Sequence, residues 1–101
     1  MPPGDLSGKQ RRHLRALGQR LAASVQVGHD GMTDTLVAQV AAQLDAHELV
    51  KVRVGENAPE DRHDTAEALA RRTDAHLAQV LGRTALLYKA RKESPAIVLP
   101  S

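Results

Sequence analysis

The chain has 101 residues and a formal net charge of +2, which is enough for one small domain with a single core. Its hydrophobic fraction of 42% predicts a folded chain, and with no run of about 20 apolar residues and no charged-then-apolar start we expect neither a membrane span nor a signal peptide. It has no cysteine, which excludes disulfides and cysteine–zinc sites and favours a cytoplasmic protein. The default expectation for its oligomeric state is a monomer.

The first predicted element is a basic helix over about residues 7–22. Its start has the form of a capping box, in which Ser7 and Gln10 satisfy each other's backbone N–H groups. One stripe at helical spacing is predicted to be buried, and it contains Leu14, Leu17, Gly18 and Leu21. The cationic side chains form a solvent-facing arc on the other side, made up of Lys9, Arg11, Arg12, Arg15 and Arg20.

A short apolar strand, residues 24–27, then leads into a Gly-x-x-Gly loop and directly into a second helix. Gly28 and Gly31 let the backbone turn sharply and approach another molecule closely. The helix that follows directs its unpaired N–H groups and positive dipole end at the loop. The loop is therefore either a phosphate-binding cradle or a plain tight turn.

The middle of the chain predicts a helix, a strand and a helix. The second helix spans about residues 33–46, with Thr33 as its cap. The strand at residues 49–54 alternates valines with Lys51 and Arg53, so one face is buried and the other basic. A polar cap at Asn57 and an early proline predict a third helix that ends near residue 73.

Two strands, residues 75–81 and 84–90, close the fold through a two-residue hairpin turn, Gly82-Arg83. The apolar segment 97–99 after them either adds an edge strand or packs back on the domain. The order α-β-α-β-α-β-β predicts an α/β fold, a compact two-layer domain with three helices on a small mixed four-stranded sheet. Residues 1–5 are expected to be a flexible N-terminus, and residues 6–100 a single domain.

Charge is segregated along the sequence. Residues 1–23 carry five Lys and Arg against one Asp, and residues 75–101 carry four against one Glu. Residues 24–48 carry four acidic residues and no Lys or Arg. Basic ends around an acidic middle favour a surface that faces a polyanion, with a solvated charged surface as the alternative. Because Tyr88 is the only aromatic residue apart from histidines, such a protein should contact RNA backbone and shape more than bases.

Several ordered segments carry a family resemblance: LSGKQRRHLRAL at 6–17, VGHDGMT at 27–33, HELVKVR at 47–53, QVLGRTALLYK at 79–89 and IVLP at 97–100. Together they resemble the CRM domain, named for chloroplast RNA splicing and ribosome maturation. Its stand-alone bacterial members are called YhbY-like.

The resemblance implies an RNA-binding domain without catalytic activity or cofactor, similar in fold to the C-terminal domain of a bacterial translation initiation factor. Stand-alone bacterial members are associated with precursors of the large ribosomal subunit, and plant organelle members with group II intron splicing. A single domain favours the first, so the expected partners are precursor ribosomal RNA and its particles, with ribosomal proteins as further candidates. The expected RNA-binding residues are Lys9, Arg11, Arg12, Arg15, Gly28, His29, Gly31, Lys51, Arg53, Arg83, Lys89, Arg91 and Lys92.

One departure from the family lies inside the loop. The family often has a basic or neutral polar residue between the glycines, whereas here the pair is His29-Asp30. An ionised Asp30 beside a phosphate would repel it, unless the side chain turns away, bonds to nearby N–H groups or is offset by protonated His29.

Two other functions and one residue remain open at this point. The pairs His29-Asp30 and His63-Asp64 suggest a metal hydrolase, but the five histidines are dispersed and none are spaced i, i+4 on one helix. Asp34, Asp45 and Glu48 offer an acidic surface for a basic ribosomal protein. Tyr88 serves either strand-end packing or base stacking.

Overall fold

The computed structural model describes residues 5–101 and confirms the predicted order of three helices and four strands. The expected flexible N-terminus lies outside the described residues, except for Asp5. The elements are α1 (Gly8–Gly18), β1 (Val25–Val27), α2 (Asp34–His47), β2 (Leu49–Val54), α3 (Arg62–Thr73), β3 (His76–Leu81) and β4 (Thr84–Tyr88).

The four strands form one mixed sheet in the order β1-β2-β4-β3. β1 pairs with β2 in parallel, with Val25 opposite Val52, and α2 provides the crossover between them. β4 runs antiparallel to both β2 and β3, and Gly82, at φ +56°, begins the predicted two-residue turn. The ends of β1 and β2 and the start of β4 therefore lie at one edge of the sheet.

Helices cover both faces of this sheet, which corrects the prediction of two layers. Val50 and Leu87 face the α2–α3 side, whereas Leu86 and Tyr88 face the α1 side. Because β4 carries consecutive apolar residues, both of its faces need an apolar cover. α1 supplies this cover on the second face through Leu14, which is fully buried.

α1 is shorter than predicted, and its buried stripe differs. The helix ends at Gly18, where an added Cβ would lie 2.7 Å from Cδ2 of Leu86. Leu17 and Leu21 are 39% and 37% exposed, so the prediction that they belong to the core is wrong. The close approach of the helix to the sheet at Gly18 sets the contact line and turns Leu17 away from it.

α3 begins later than the sequence predicts. Its N-cap is Asp61, whose carboxylate accepts hydrogen bonds from the backbone N–H groups of His63 and Asp64. The predicted start at Asn57 is wrong because Ala58 donates its N–H to the carbonyl of Gly55 in a turn. An aspartate that accepts two of the helix's free N–H groups is the stronger capping residue.

A buried glutamate holds the C-terminal tail, residues 89–101, on the sheet. Glu48 is 0% exposed, and its carboxylate accepts hydrogen bonds from the backbone N–H groups of Arg91, Ala96 and Ile97 at 2.9, 2.7 and 2.8 Å. Burial raises the pKa of Glu48, but these three bonds and the charge of Arg91 outweigh it and hold the pKa below its ordinary value. Ile97 and Leu99 pack, without forming a strand, on the second core cluster, which is the apolar core on the α1 side of the sheet around Leu14, Leu86 and Tyr88.

Candidate nucleic-acid interface

The outer side of α1 carries exposed cations. Lys9, Arg12 and Arg15 are exposed, and their side chains make no hydrogen bond or ion pair within residues 5–101. Arg11 is different because its guanidinium donates a 2.7 Å hydrogen bond to the carbonyl of Leu77 on β3. α1 therefore offers unengaged guanidinium and ammonium groups to solvent and uses Arg11 to fix itself to the sheet.

Two more predicted cations lie on the same face of the sheet, beyond the end of α1. Lys51 is paired with Leu86 and Arg53 with Thr84 across β2 and β4, which places both side chains on the α1 side. Arg53 is exposed and Lys51 is half-buried. We define the basic face by Lys9, Arg12, Arg15, Arg20, Lys51 and Arg53. None of these side chains has a hydrogen-bond or ion-pair partner among the described residues.

The Gly-x-x-Gly loop lies at the sheet edge beside Arg53. It closes as a tight turn, since Gly31 donates its N–H to the carbonyl of Gly28 at 3.0 Å. Gly31 has φ +70°, and an added Cβ there would meet Cγ of Pro59 at 3.0 Å. The N–H of Gly31 is therefore already engaged, and position 31 leaves little room for a side chain.

The start of α2 is also already occupied by acceptors of its own chain. The hydroxyl of Thr33 accepts the N–H of Leu36 at 3.1 Å. Asp34 in the first turn pairs with Arg72 at 2.9 Å. Nε2 of His29 lies 3.2 Å from Oδ1 of Asp30, and both side chains are about three-quarters exposed. The carboxylate of Asp30 therefore opposes a phosphate at this helix end, and that of Asp34 already occupies the first turn in its pair with Arg72.

Two other predicted cations, Arg83 and Lys89, bind backbone carbonyls. Arg83 donates to the carbonyls of Val54 and Gly55, each at 3.0 Å, and so holds the end of β2. The ammonium of Lys89 donates to the carbonyl of Thr73 at 3.2 Å, at the C-terminus of α3. The ends of helices and strands leave backbone carbonyls without partners, and these long cationic side chains donate hydrogen bonds to them.

The last two predicted cations, Arg91 and Lys92, follow in the tail, where the first is engaged with backbone carbonyls and the second is not. Arg91 donates to the carbonyl of Ala46 at 3.4 Å and to that of Ser94 at 2.9 Å. Lys92 is exposed and has no partner within residues 5–101. Both lie at the edge of the sheet opposite the Gly-x-x-Gly loop, so the predicted site residues do not form one cluster.

The acidic surface expected for a protein partner is not assembled. Glu48 is buried beneath the tail, and Asp34 is paired with Arg72. Of the three acids, only Asp45 remains exposed without a partner. The sequence could not reveal this because the groups that bind Glu48 follow it by more than 40 residues.

The dispersed histidines stay apart in the fold. Within residues 5–101, no group of three or more His, Asp or Glu side chains could hold a metal ion. No helix in that range is long and apolar enough to cross a membrane. Arg20 was not among the predicted site residues. It is exposed and follows the end of α1, so it adds a further cation to that end of the helix.

Comparison with known families agrees with these features. The model of the CRS1 / YhbY (CRM) domain matches residues 6–89. The chain belongs to the CRM family. This is a family of RNA-binding, non-catalytic domains, as the resemblance implied.

Two relatives of this CRM protein and one solved structure match it over 90% or more of their own length. It is 44% identical over 95 residues to "Probable RNA-binding protein YqeI" of Bacillus subtilis, covering 94% of this chain and 99% of the relative. It is 33% identical over 89 residues to an RNA-binding protein of Haemophilus influenzae, covering 88% and 90%. The solution structure of the hypothetical protein SAV1595 from Staphylococcus aureus, described as a candidate RNA-binding protein, superposes with a TM-score of 0.80 at 36% identity, covering 94% of this chain and 99% of that one.

Proposed function

We propose that this CRM protein binds precursor ribosomal RNA of the large subunit, alone or in precursor particles, and acts in the maturation of that subunit. Residues 6–100 work as one domain, and a cytoplasmic location follows from the proposal. The observation that carries it is the basic face, whose side chains have no hydrogen-bond or ion-pair partner among the described residues. They are carried by α1 and the turn after it, and by the α1 side of β2. Guanidinium groups of this kind can bind phosphates with two hydrogen bonds.

Within this proposal, the contributions of the predicted residues differ. Lys9, Arg12, Arg15, Lys51 and Arg53 contact phosphates directly. Arg11, Arg83 and Arg91 add positive charge while they hold α1, the end of β2 and the tail in place. Lys89 and Lys92 extend the positive surface to the tail edge. Gly28, His29 and Gly31 shape a turn that approaches the RNA backbone beside Arg53. Its share of the affinity is small, because Asp30 lies in the turn and the start of the next helix is already capped by its own chain.

A salt series tests the phosphate contacts. With roughly four to five phosphates neutralised, the logarithm of the affinity should fall with the logarithm of the salt concentration at a slope of about −3 to −4.5. This is on the order of 100-fold between 50 and 200 mM salt. The double variant Arg12→Glu plus Arg15→Glu should reduce the size of the slope by about 1.4–1.8, because two contacts are lost.

Arg71→Glu is a matched control for Arg15→Glu. Both arginines lie in the last turn of a helix, and both are exposed, but Arg71 is on α3 at the other side of the sheet. The two variants lose the same charge and the same favourable interaction with a helix end. We expect only Arg15→Glu to weaken RNA binding, and equal effects of the two would contradict the basic face as the interface.

The choice of RNA is tested separately with precursor particles of the two ribosomal subunits. Preferential binding to the large-subunit precursor supports the maturation role. Equal binding to both refutes it and leaves RNA binding in place. Retention on particles after RNase treatment would favour tethering through a ribosomal protein instead.

A further inference from the structure

A cleft of about 420 Å³ lies between the start of α1, the end of β4 and the C-terminal tail. It is at the edge of the sheet opposite the Gly-x-x-Gly loop. Its size is within the range of about 300–1,000 Å³ typical of small-molecule sites. The walls include two leucines, two rings and two lysines: Leu6, Leu99, His76, Tyr88, Lys89 and Lys92. Three further residues complete the lining, among them Asp74, so the two lysines are opposed by one acid.

The rings form a stacked pair. His76 and Tyr88 are opposite one another in β3 and β4, and their ring centroids are 6.2 Å apart with an interplanar angle of 21°. Tyr88 is 5% exposed and packs in the second core cluster, which is the first of the two roles the sequence left open. His76 is half-buried, so it presents the accessible part of the pair to the cleft.

The charge state of His76 suits contact with a flat neutral ligand. Burial lowers the pKa of its imidazole, and the charge of Arg11 lowers it further. Asp5 and Asp74 act in the opposite direction but do not reverse the shift. The lowered pKa favours the neutral ring, which offers a π face in place of a cation.

The lysines supply the charge at the tail end of the cleft. Lys89 donates one hydrogen bond to the carbonyl of Thr73, which leaves two of its three ammonium donors. Lys92 is exposed and has no partner within residues 5–101. A ring pair with two ammonium groups beside it matches the two parts of a nucleotide, a flat base and a phosphate.

We propose that this cleft binds one unpaired nucleotide of the RNA, with its base against the His76–Tyr88 pair and its phosphate at Lys89 and Lys92. The proposal rests on the proposed RNA-binding function and adds a contact to a base, where the basic face contacts phosphates. Unstacked bases in single-stranded RNA are bound in this way by stacking on ring side chains. A purely apolar peptide would leave the lysines without a partner.

The test is an NMR titration of the whole protein with each of the four nucleoside 5′-monophosphates, and with ribose 5-phosphate as the base-free control. We expect the amides of the cleft residues to shift with at least one nucleotide, and to shift clearly less with ribose 5-phosphate, which reaches the lysines but has no base to stack. His76→Ala should lower the affinity by about five-fold or more, the loss of one base stack. His76→Phe keeps a ring and should retain binding, which guards against a folding defect. His63→Ala, on the exposed side of α3, should change nothing.

Lys92→Ala separates the phosphate part. It should weaken binding of the monophosphates and leave unchanged the binding of the corresponding uncharged nucleosides, titrated in the same way. Equal shifts with ribose 5-phosphate, or shifts confined to residues outside the cleft, would overturn the proposal and indicate anion binding only. If RNA binds through the basic face but no nucleotide reaches the cleft, the cleft proposal fails alone. If nucleotides bind in the cleft while RNA binding is absent, the proposed function fails and the cleft remains.

Discussion

Replacing Glu48 by glutamine should detach the C-terminal tail from the sheet. In the native protein one carboxylate oxygen accepts the N–H groups of Ala96 and Ile97, and the other accepts that of Arg91. Glutamine keeps one acceptor oxygen, but its amide NH₂ then faces a backbone N–H, so two donors oppose each other. The bonds from the N–H groups of Ala96 and Ile97 also lose the negative charge of their acceptor, which roughly halves their strength.

The magnitude follows from these three bonds. A buried donor left without an acceptor costs about 1–3 kcal/mol, and the weakening of the other two bonds adds about 1 kcal/mol. We therefore expect Glu48→Gln to destabilise the docked tail by about 2–4 kcal/mol. The loss cannot exceed the free energy of docking, because a detached tail hydrates its own N–H groups.

Hydrogen exchange measured by NMR at pH 7 follows the tail directly. The amides of Arg91, Ala96 and Ile97 should be protected in the native protein and exchange rapidly in Glu48→Gln, while amides in β2 and β4 keep their protection. Glu93→Gln is the matched control, because Glu93 is an exposed acid of the same tail. Unchanged protection in Glu48→Gln would refute the anchoring role.

Acid should have the same effect as the substitution. The folded pKa of Glu48 is below its ordinary value, so its contribution is present in full above the pKa of the unfolded chain. That contribution is lost as the pH falls through the lower pKa of the folded state. The protection of the tail amides, measured relative to their intrinsic exchange rates, should therefore fall in acid in the native protein and change little in Glu48→Gln. Because exchange chemistry itself varies with pH, the comparison is made between the two proteins at each pH.

Two further substitutions test the fold through matched pairs, each by thermal or urea denaturation. Gly31→Ala should cost about 1–2 kcal/mol or more, because φ is +70° and the new Cβ meets Pro59 at 3.0 Å, whereas Gly28→Ala enters open space and should cost far less. Leu14→Ala should cost about 2–5 kcal/mol, because Leu14 is fully buried, and Leu17→Ala, at a 39% exposed position, should cost clearly less; equal costs in either pair would contradict the packing described.

Much of the fold was accessible from the sequence because local patterns report local structure. The Ser7–Gln10 capping box forms as predicted, and the alternation of valines with Lys51 and Arg53 gave both the bounds and the two faces of β2. Boundaries were wrong where a competing local contact won, as at Asp61. The buried stripe of α1 was wrong at Leu17 because the helix docks along Leu14 and Gly18.

The candidate site was predictable as a collection of charges and not as a surface. Composition and order along the chain identified the cations, but only packing determined which of them are engaged. Arg11 binds a carbonyl 66 residues away, and Arg83 one 29 residues away. No local pattern distinguishes them from Arg12 or Arg15, which remain unengaged.

The sequence by itself therefore determined the order of helices and strands, the basic character of the first helix and membership of the CRM family, because these depend on neighbours within a turn or on motifs in a fixed order. The tertiary structure alone decided that helices cover both faces of the sheet, that Glu48 is buried as the anchor of the tail, and that His76 and Tyr88 meet beside two lysines. Each of these depends on which carbonyls, amides and rings come together when distant segments pack, and that is set by the whole fold.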